Sequence, residues 1–152
     1  GRVPQLQVDQ KLETIYCNSI SMKAKVFLQD CGIFSNEIIV SAGCSKEEIL
    51  KYLKKLPRVK KEAIEWIAKE ERAFEVFNRN TGATWYDNGR TLLLLGRPKD
   101  DWDYWECLIH EISHIVTFMA RDKMFENEDE CRAYLHEYLF HKTRRKLMGF
   151  DD

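Results

Sequence analysis

The chain has 152 residues, of which 44% are hydrophobic and 12% aromatic, and this is enough apolar material for the core of one globular domain over 1–152. Its net charge of -1 gives no overall attraction to nucleic acid or to an anionic membrane. Five scattered cysteines without a Cys-x-x-Cys pair indicate reduced thiols and a cytoplasmic setting. The absence of a long apolar stretch and of a charged leader predicts no membrane segment.

The first half of the chain predicts two strands followed by two helices. Short β-branched and apolar runs at 25–28 and 37–40 are typical of strands joined by a loop. Ser45 and Glu48 form a capping-box pattern that starts a helix, and Pro57 ends it. From 59 to 77 the apolar residues recur near every 3.6 positions, which predicts one long helix with a single buried stripe.

The second half predicts a β-hairpin and two further helices. The pair Asn88-Gly89 between the runs 83–86 and 91–95 suits a type I′ turn, and the leucine-rich second run predicts a strand covered on both faces. Three acids then supply the N-cap and first turn of a helix that runs to about Ala120: Asp100, Asp101 and Asp103. The last helix is predicted from Asn127 through Lys146.

The most informative string, His110-Glu111-Ile112-Ser113-His114, lies in the first of these two helices. Residues four apart in a helix lie about one turn apart on the same face, so both imidazoles can reach one cation. A carboxylate between them can act on water at that cation. Catalytic zinc usually takes three protein ligands, so this pattern requires one more donor from elsewhere in the chain.

The third donor is expected in the acidic string 126–130, just beyond a turn after the histidine helix. Glu130 is the preferred residue, because the small Ala133 on the same helix permits a close approach of the two helices. The alternative donors, in order of decreasing preference, are Glu128, Asp129, Glu126 and Glu137. The same string is also a capping pattern, in which Glu130 reaches back to the Asn127 amide instead of binding a metal.

The histidine string followed by Glu130-Cys131-Arg132-Ala133 resembles the H-E-x-x-H plus E-x-x-A arrangement of small gluzincin-type metallopeptidases, including phage and bacterial proteins of the ImmA/IrrE kind. The resemblance implies a minimal zincin-like α+β fold, with a small, mostly antiparallel sheet packed on helices. It implies that zinc is bound by His110, His114 and Glu130, and that Glu111 is the general base of peptide-bond hydrolysis. It further implies a bacterial or phage-infected cell, and an extended peptide substrate that pairs with the strand at 91–95.

Peptide hydrolysis also needs a donor to the developing oxyanion. Tyr134 is the first candidate and His141 the second, although Tyr134 also suits simple packing between helices. Three aromatic residues near the start of the histidine helix suit the core better than a substrate pocket: Trp102, Tyr104 and Trp105.

Two other classes of function compete with a peptidase. One is an interaction or structural protein, such as a phage component, that keeps a zincin scaffold with weak or no turnover. The other is a DNA-associated regulator with structural metal, which would use the basic cluster Lys142, Arg144, Arg145 and Lys146. Because cations are favoured in the last turn of a helix, a solvated helix end is the preferred explanation of that cluster, and a nucleic-acid partner is not expected.

Overall fold

The computed structural model describes residues 22–150. These residues form an α+β unit of four strands and five helices, which confirms the coarse fold class. The elements in chain order are β1 (Lys25–Cys31), β2 (Phe34–Ala42), α1 (Lys46–Lys54), α2 (Lys61–Lys69), α3 (Arg72–Arg79), β3 (Gly82–Asp87), β4 (Arg90–Leu95), α4 (Trp102–Asp122) and α5 (Asp129–Leu147).

The sheet is mixed and has the order β1-β2-β4-β3. Two antiparallel hairpins, β1/β2 and β3/β4, are joined by the parallel pair β2/β4. Asn88 and Gly89 have φ of 50° and 79°, as the predicted type I′ turn requires. The arrangement leaves β1 and β3 as edge strands and encloses β4 between two neighbours.

Helices cover both faces of this sheet. Along β4 the side chains alternate, so Leu93 and Leu95 join the core under α4 and α5, while Leu92 and Leu94 join the core under α1, α2 and α3. The prediction that 91–95 is a strand covered on both faces is confirmed. The opposite faces of this one strand therefore tie the two helical layers together, and burial of its leucines supplies much of the hydrophobic stabilisation of the sheet.

The predicted single helix over 59–77 is wrong, because the chain forms two helices there. Glu70 takes an extended backbone at φ -80° and ψ 114° and ends α2. Its carboxylate then accepts a hydrogen bond from the Ala73 amide at 3.1 Å, near the start of α3. Lys46 of α1 donates to the Glu70 carbonyl at 2.8 Å, which satisfies an acceptor that the helix break leaves free. The break lets Ile67 and Ala73 pack into one core.

The last two helices agree with the sequence except at the start of α5. Asp101 caps α4 by accepting from the Tyr104 amide at 2.8 Å, and the predicted apolar stripe is fully buried: Leu108, Ile112, Ile115 and Met119. Helix α5 begins at Asp129, and its N-cap Glu128 makes no side-chain capping bond. The alternative explanation of Glu130, as a cap that reaches back to the Asn127 amide, is therefore not realised. Among the described residues no helix is long and apolar enough to cross a bilayer.

Candidate metal and catalytic site

Helix α4 presents His110 and His114 on its solvent-exposed face, opposite its buried stripe. Their Nε2 atoms lie 3.2 Å apart, and the two rings are nearly perpendicular, at 83°. Two nitrogens bound to one tetrahedral zinc at 2.0–2.1 Å are separated by about 3.3 Å. The histidine pair therefore fits two positions of such a site, and the same distance also suits a hydrogen bond between opposite tautomers.

Glu111 points away from solvent, towards β3, and only 5% of its surface is exposed. The Thr84 hydroxyl lies 3.0 Å from the Glu111 carboxylate oxygen Oε1 and 3.2 Å from the Glu111 carbonyl oxygen. Since one hydroxyl has one proton, the two acceptors share it. Thr84 thus holds the buried carboxylate in place beside the histidine pair. Sequence reasoning did not single out Thr84, because its contact spans 27 positions and leaves no local pattern.

Gly82 permits the close approach of β3 to α4. A Cβ atom at this position would lie 2.8 Å from the Cys107 Sγ atom and 3.1 Å from the Glu111 Cγ atom. Both distances are shorter than ordinary van der Waals contact. The absence of a side chain at Gly82 is therefore what allows the strand to lie directly against the helix turn that carries Glu111.

The three polar residues that define the motif, His110, Glu111 and His114, line one cavity of about 450 Å³. Its other walls come from the end of α3, from β3 and from α4: Val76, Asn80, Thr81, Gly82, Ala83, Thr84, Cys107 and Phe118. Burial raises the pKa of the Cys107 thiol, although a hydrogen bond from Thr81 lowers it in part. The cavity therefore combines polar and ionisable groups with an apolar wall, as substrate sites commonly do.

The strand at the rim of this cavity is β3, which corrects the expectation that 91–95 borders the cleft. Strand β4 is paired with β2 on one side and with β3 on the other, so it has no edge for a substrate. Within the described sheet β3 pairs with β4 alone. In a hairpin with a two-residue loop, hydrogen-bonded and non-hydrogen-bonded residue pairs alternate along the strands. The backbone N–H and C=O groups of Gly82, Thr84 and Tyr86 belong to non-hydrogen-bonded pairs and point to the outer edge of β3. That edge can accept another strand.

Glu130 does not join the histidine pair. Among the described residues no group of three His, Cys, Asp or Glu side chains is close enough together to hold a metal ion. Glu130 is exposed in the first turn of α5. The two histidines are therefore brought together with Glu111, and the predicted third ligand stands apart from them.

The structure also keeps Tyr134 and His141 out of the cavity. The Tyr134 hydroxyl lies beside Gly32 in the β1–β2 turn, where it would be 2.5 Å from a Cβ atom added at Gly32. Strand β1 is the edge of the sheet opposite to β3. Tyr134 is thus placed beside the β1–β2 turn and does not line the cavity in which an oxyanion donor is needed.

The aromatic and acidic residues near the start of α4 have structural contacts. Trp105 is buried in the core, and its indole donates to Asp100 at 2.7 Å. The Tyr104 hydroxyl donates to the Gly96 carbonyl at 2.9 Å, while Trp102 is 73% exposed. None of the three aromatic residues lines the cavity of the histidine pair.

The basic cluster near the end of α5 is engaged with the protein itself. Arg144 lies over the Trp105 ring and pairs with Asp100 at 3.8 Å. Lys146 donates to the Leu28 carbonyl at 3.0 Å, and Lys142 and Arg145 lie over the Tyr138 and Phe150 rings. These contacts are those of a helix end packed on its own domain, and they do not present a row of free cations.

Comparison of the chain with protein-family models, with curated proteins and with solved structures finds no match.

Proposed function

We propose that this chain is a zinc-dependent peptidase with a zincin-like fold. The observation that carries the proposal is the 3.2 Å separation of the His110 and His114 Nε2 atoms, in the same cavity as the buried carboxylate of Glu111. Buried carboxylates without a cationic partner are uncommon, and Glu111 is held by a neutral hydroxyl group. Such a carboxylate beside two metal-type ligands suits a general base better than a packing role.

The chain's own residues divide the chemistry between them. Zinc, when bound, supplies polarisation of a carbonyl and a lowered pKa for water. His110 and His114 would hold the ion, and Glu111 would accept the proton from the attacking water and return it to the leaving amine. Thr84 would keep the Glu111 carboxylate oriented, because its hydroxyl donates to Oε1 and leaves Oε2 free to take the proton.

The substrate in this proposal is an extended peptide added to the outer edge of β3. Its backbone would pair with the outward groups of Gly82 and Thr84, which lie in the cavity wall. Val76 and Phe118 would then contact an apolar side chain of the peptide. The four described cysteines are free, in keeping with the cytoplasmic setting that the sequence predicts.

A second candidate is a zincin scaffold with weak or no turnover that acts through interactions. The specific observation in its favour is that no three-ligand metal group forms among the described residues. This candidate predicts the same histidine pair and the same free β3 edge, but no cleavage of any peptide.

The test is metal analysis of purified protein, followed by digestion of a peptide library with the wild type and with Glu111→Gln. We expect one zinc per chain in both proteins, and loss of cleavage of about 1,000-fold or more in the variant, since general acid–base catalysis contributes up to about 10,000-fold. Full activity of Glu111→Gln would refute the mechanism. Absence of cleavage by the wild type, with or without bound zinc, would favour the scaffold candidate.

A further inference from the structure

The missing third metal ligand is the open problem of this site, and the packing of α5 against α4 bears on it directly. Arg144 of α5 lies over the Trp105 ring of α4 at 5.1 Å. Ser113 follows Trp105 by eight positions in α4, and His136 precedes Arg144 by eight positions in α5. The Ser113 hydroxyl lies 3.2 Å from the His136 Nε2 atom. The two helices are therefore antiparallel and in constant register over this stretch.

This register decides which residues of α5 lie level with the histidine pair. His136 is opposite Ser113, which lies between His110 and His114 in the chain. Glu130 is six residues earlier in α5, which corresponds to about 9 Å along the helix axis and about 120° around it. Glu130 is thus both displaced along the helix and turned away from the side on which His136 contacts α4.

The geometry points to His136 as the third metal ligand, in place of Glu130. Like Glu130, His136 forms no three-donor group with the histidine pair in the described structure, but its contact with Ser113 places its ring beside the helix turn that carries the pair. This inference rests on the proposed function, because it concerns the same metal site. A site of three imidazoles leaves one tetrahedral position open, as catalytic zinc requires. Neutral imidazole is also the commonest protein ligand of zinc-type metals, so His136 is chemically equal to His110 and His114.

Ser113 gives His136 a defined position in the absence of metal. The Ser113 hydroxyl donates to the Ile109 carbonyl at 3.0 Å, so its single proton is already used. His136 must then donate to Ser113 through its Nε2 proton, which leaves Nδ1 with the free lone pair. Metal binding would break this one exposed hydrogen bond and turn the His136 ring towards the pair. Loss of such a bond is a small cost beside the gain of a metal ligand.

The test measures zinc affinity of the metal-free full chain by competition with a chromophoric chelator. We expect His136→Ala to weaken zinc binding by more than about 100-fold, since even residues that only orient metal ligands change affinity by 10–100-fold. Glu130→Ala should leave the affinity unchanged. Ser113→Ala, the matched control, should retain or strengthen binding because it frees His136. His136→Gln keeps a donor to Ser113 and should lose zinc like the alanine variant, which separates ligation from packing.

A second readout is NMR of the histidine ring nitrogens during zinc titration. Three of the four histidines should shift on binding, and His141, which is not a proposed ligand, is the internal control. Wild-type affinity in His136→Ala together with loss of zinc in Glu130→Ala would overturn the inference and leave the proposed function standing with Glu130 as ligand. Unchanged zinc binding in His110→Ala and His114→Ala would instead overturn the proposed function itself.

Discussion

Replacement of Thr84 by Val tests whether the hydroxyl group holds the Glu111 carboxylate. Valine has nearly the same shape as threonine, so the change removes the 3.0 Å bond to Oε1 and the 3.2 Å contact to the Glu111 carbonyl without leaving a cavity. Hydrogen bonds to charged groups contribute about 1.5–3 kcal/mol, and Glu111 is only 5% exposed, so water replaces the lost donor poorly. We expect the free energy of unfolding to fall by about 2 kcal/mol.

Urea denaturation at pH 7 measures this change, and the slope of the transition should stay constant. Two variants serve as controls. Thr84→Ser keeps the hydroxyl and should lose less than about 1 kcal/mol, since it removes one methyl group. Thr81→Val removes a hydroxyl whose partner is the Cys107 sulfur atom and should change stability by less than about 0.5 kcal/mol. Equal losses in Thr84→Val and Thr84→Ser, or no loss in either, would refute the reasoning.

Two further predictions concern β3 and β1. Gly82→Ala should lower the free energy of unfolding by about 1–3 kcal/mol, because the new Cβ atom would overlap the Cys107 Sγ atom. Adding Cys107→Ala should recover part of the loss, while Gly96→Ala, which meets no atom within 4 Å, should be nearly neutral; loss of equal size at Gly96 would count against this explanation. Tyr138→Phe removes the hydrogen bond that is the main cause of the lowered pKa of Asp30. That bond stabilises the fold above the ordinary value of 3.8, and its contribution is lost as the pH falls through the lowered pKa. The stability difference between wild type and Tyr138→Phe should therefore shrink in acid denaturation series, and a constant difference down to the lowest pH would contradict the assignment.

The sequence predicted those elements that depend on local patterns. The β3/β4 hairpin follows from Asn88 and Gly89, which tolerate the positive φ that the turn needs. The capping box of Ser45 and Glu48 forms as expected. The stripe on α4 is buried, and the spacing of His110 and His114 alone predicted that their imidazoles would lie together, because helix geometry fixes residues four apart.

Local patterns were insufficient where long-range contacts decide the outcome. The helix break at Glu70 is stabilised by Lys46, which is 24 positions away, and nothing in the apolar period of 59–77 shows it. We predicted the position of the acidic string from the neighbouring sequence alone. In the structure, α5 begins at Asp129 and Glu130 is exposed. A position near the histidine pair in sequence therefore did not become a position near it in space.

The amino-acid sequence by itself determined the histidine pair and the carboxylate between them, because one helix turn contains all three. Only the tertiary structure decided what surrounds them. The sheet order made β3, and not β4, the edge beside the cavity, and it brought Thr84 to Glu111. The antiparallel packing of α4 and α5 placed His136 beside Ser113. Strand order and helix register are set by the sum of many core contacts, and such sums leave no short pattern in the chain.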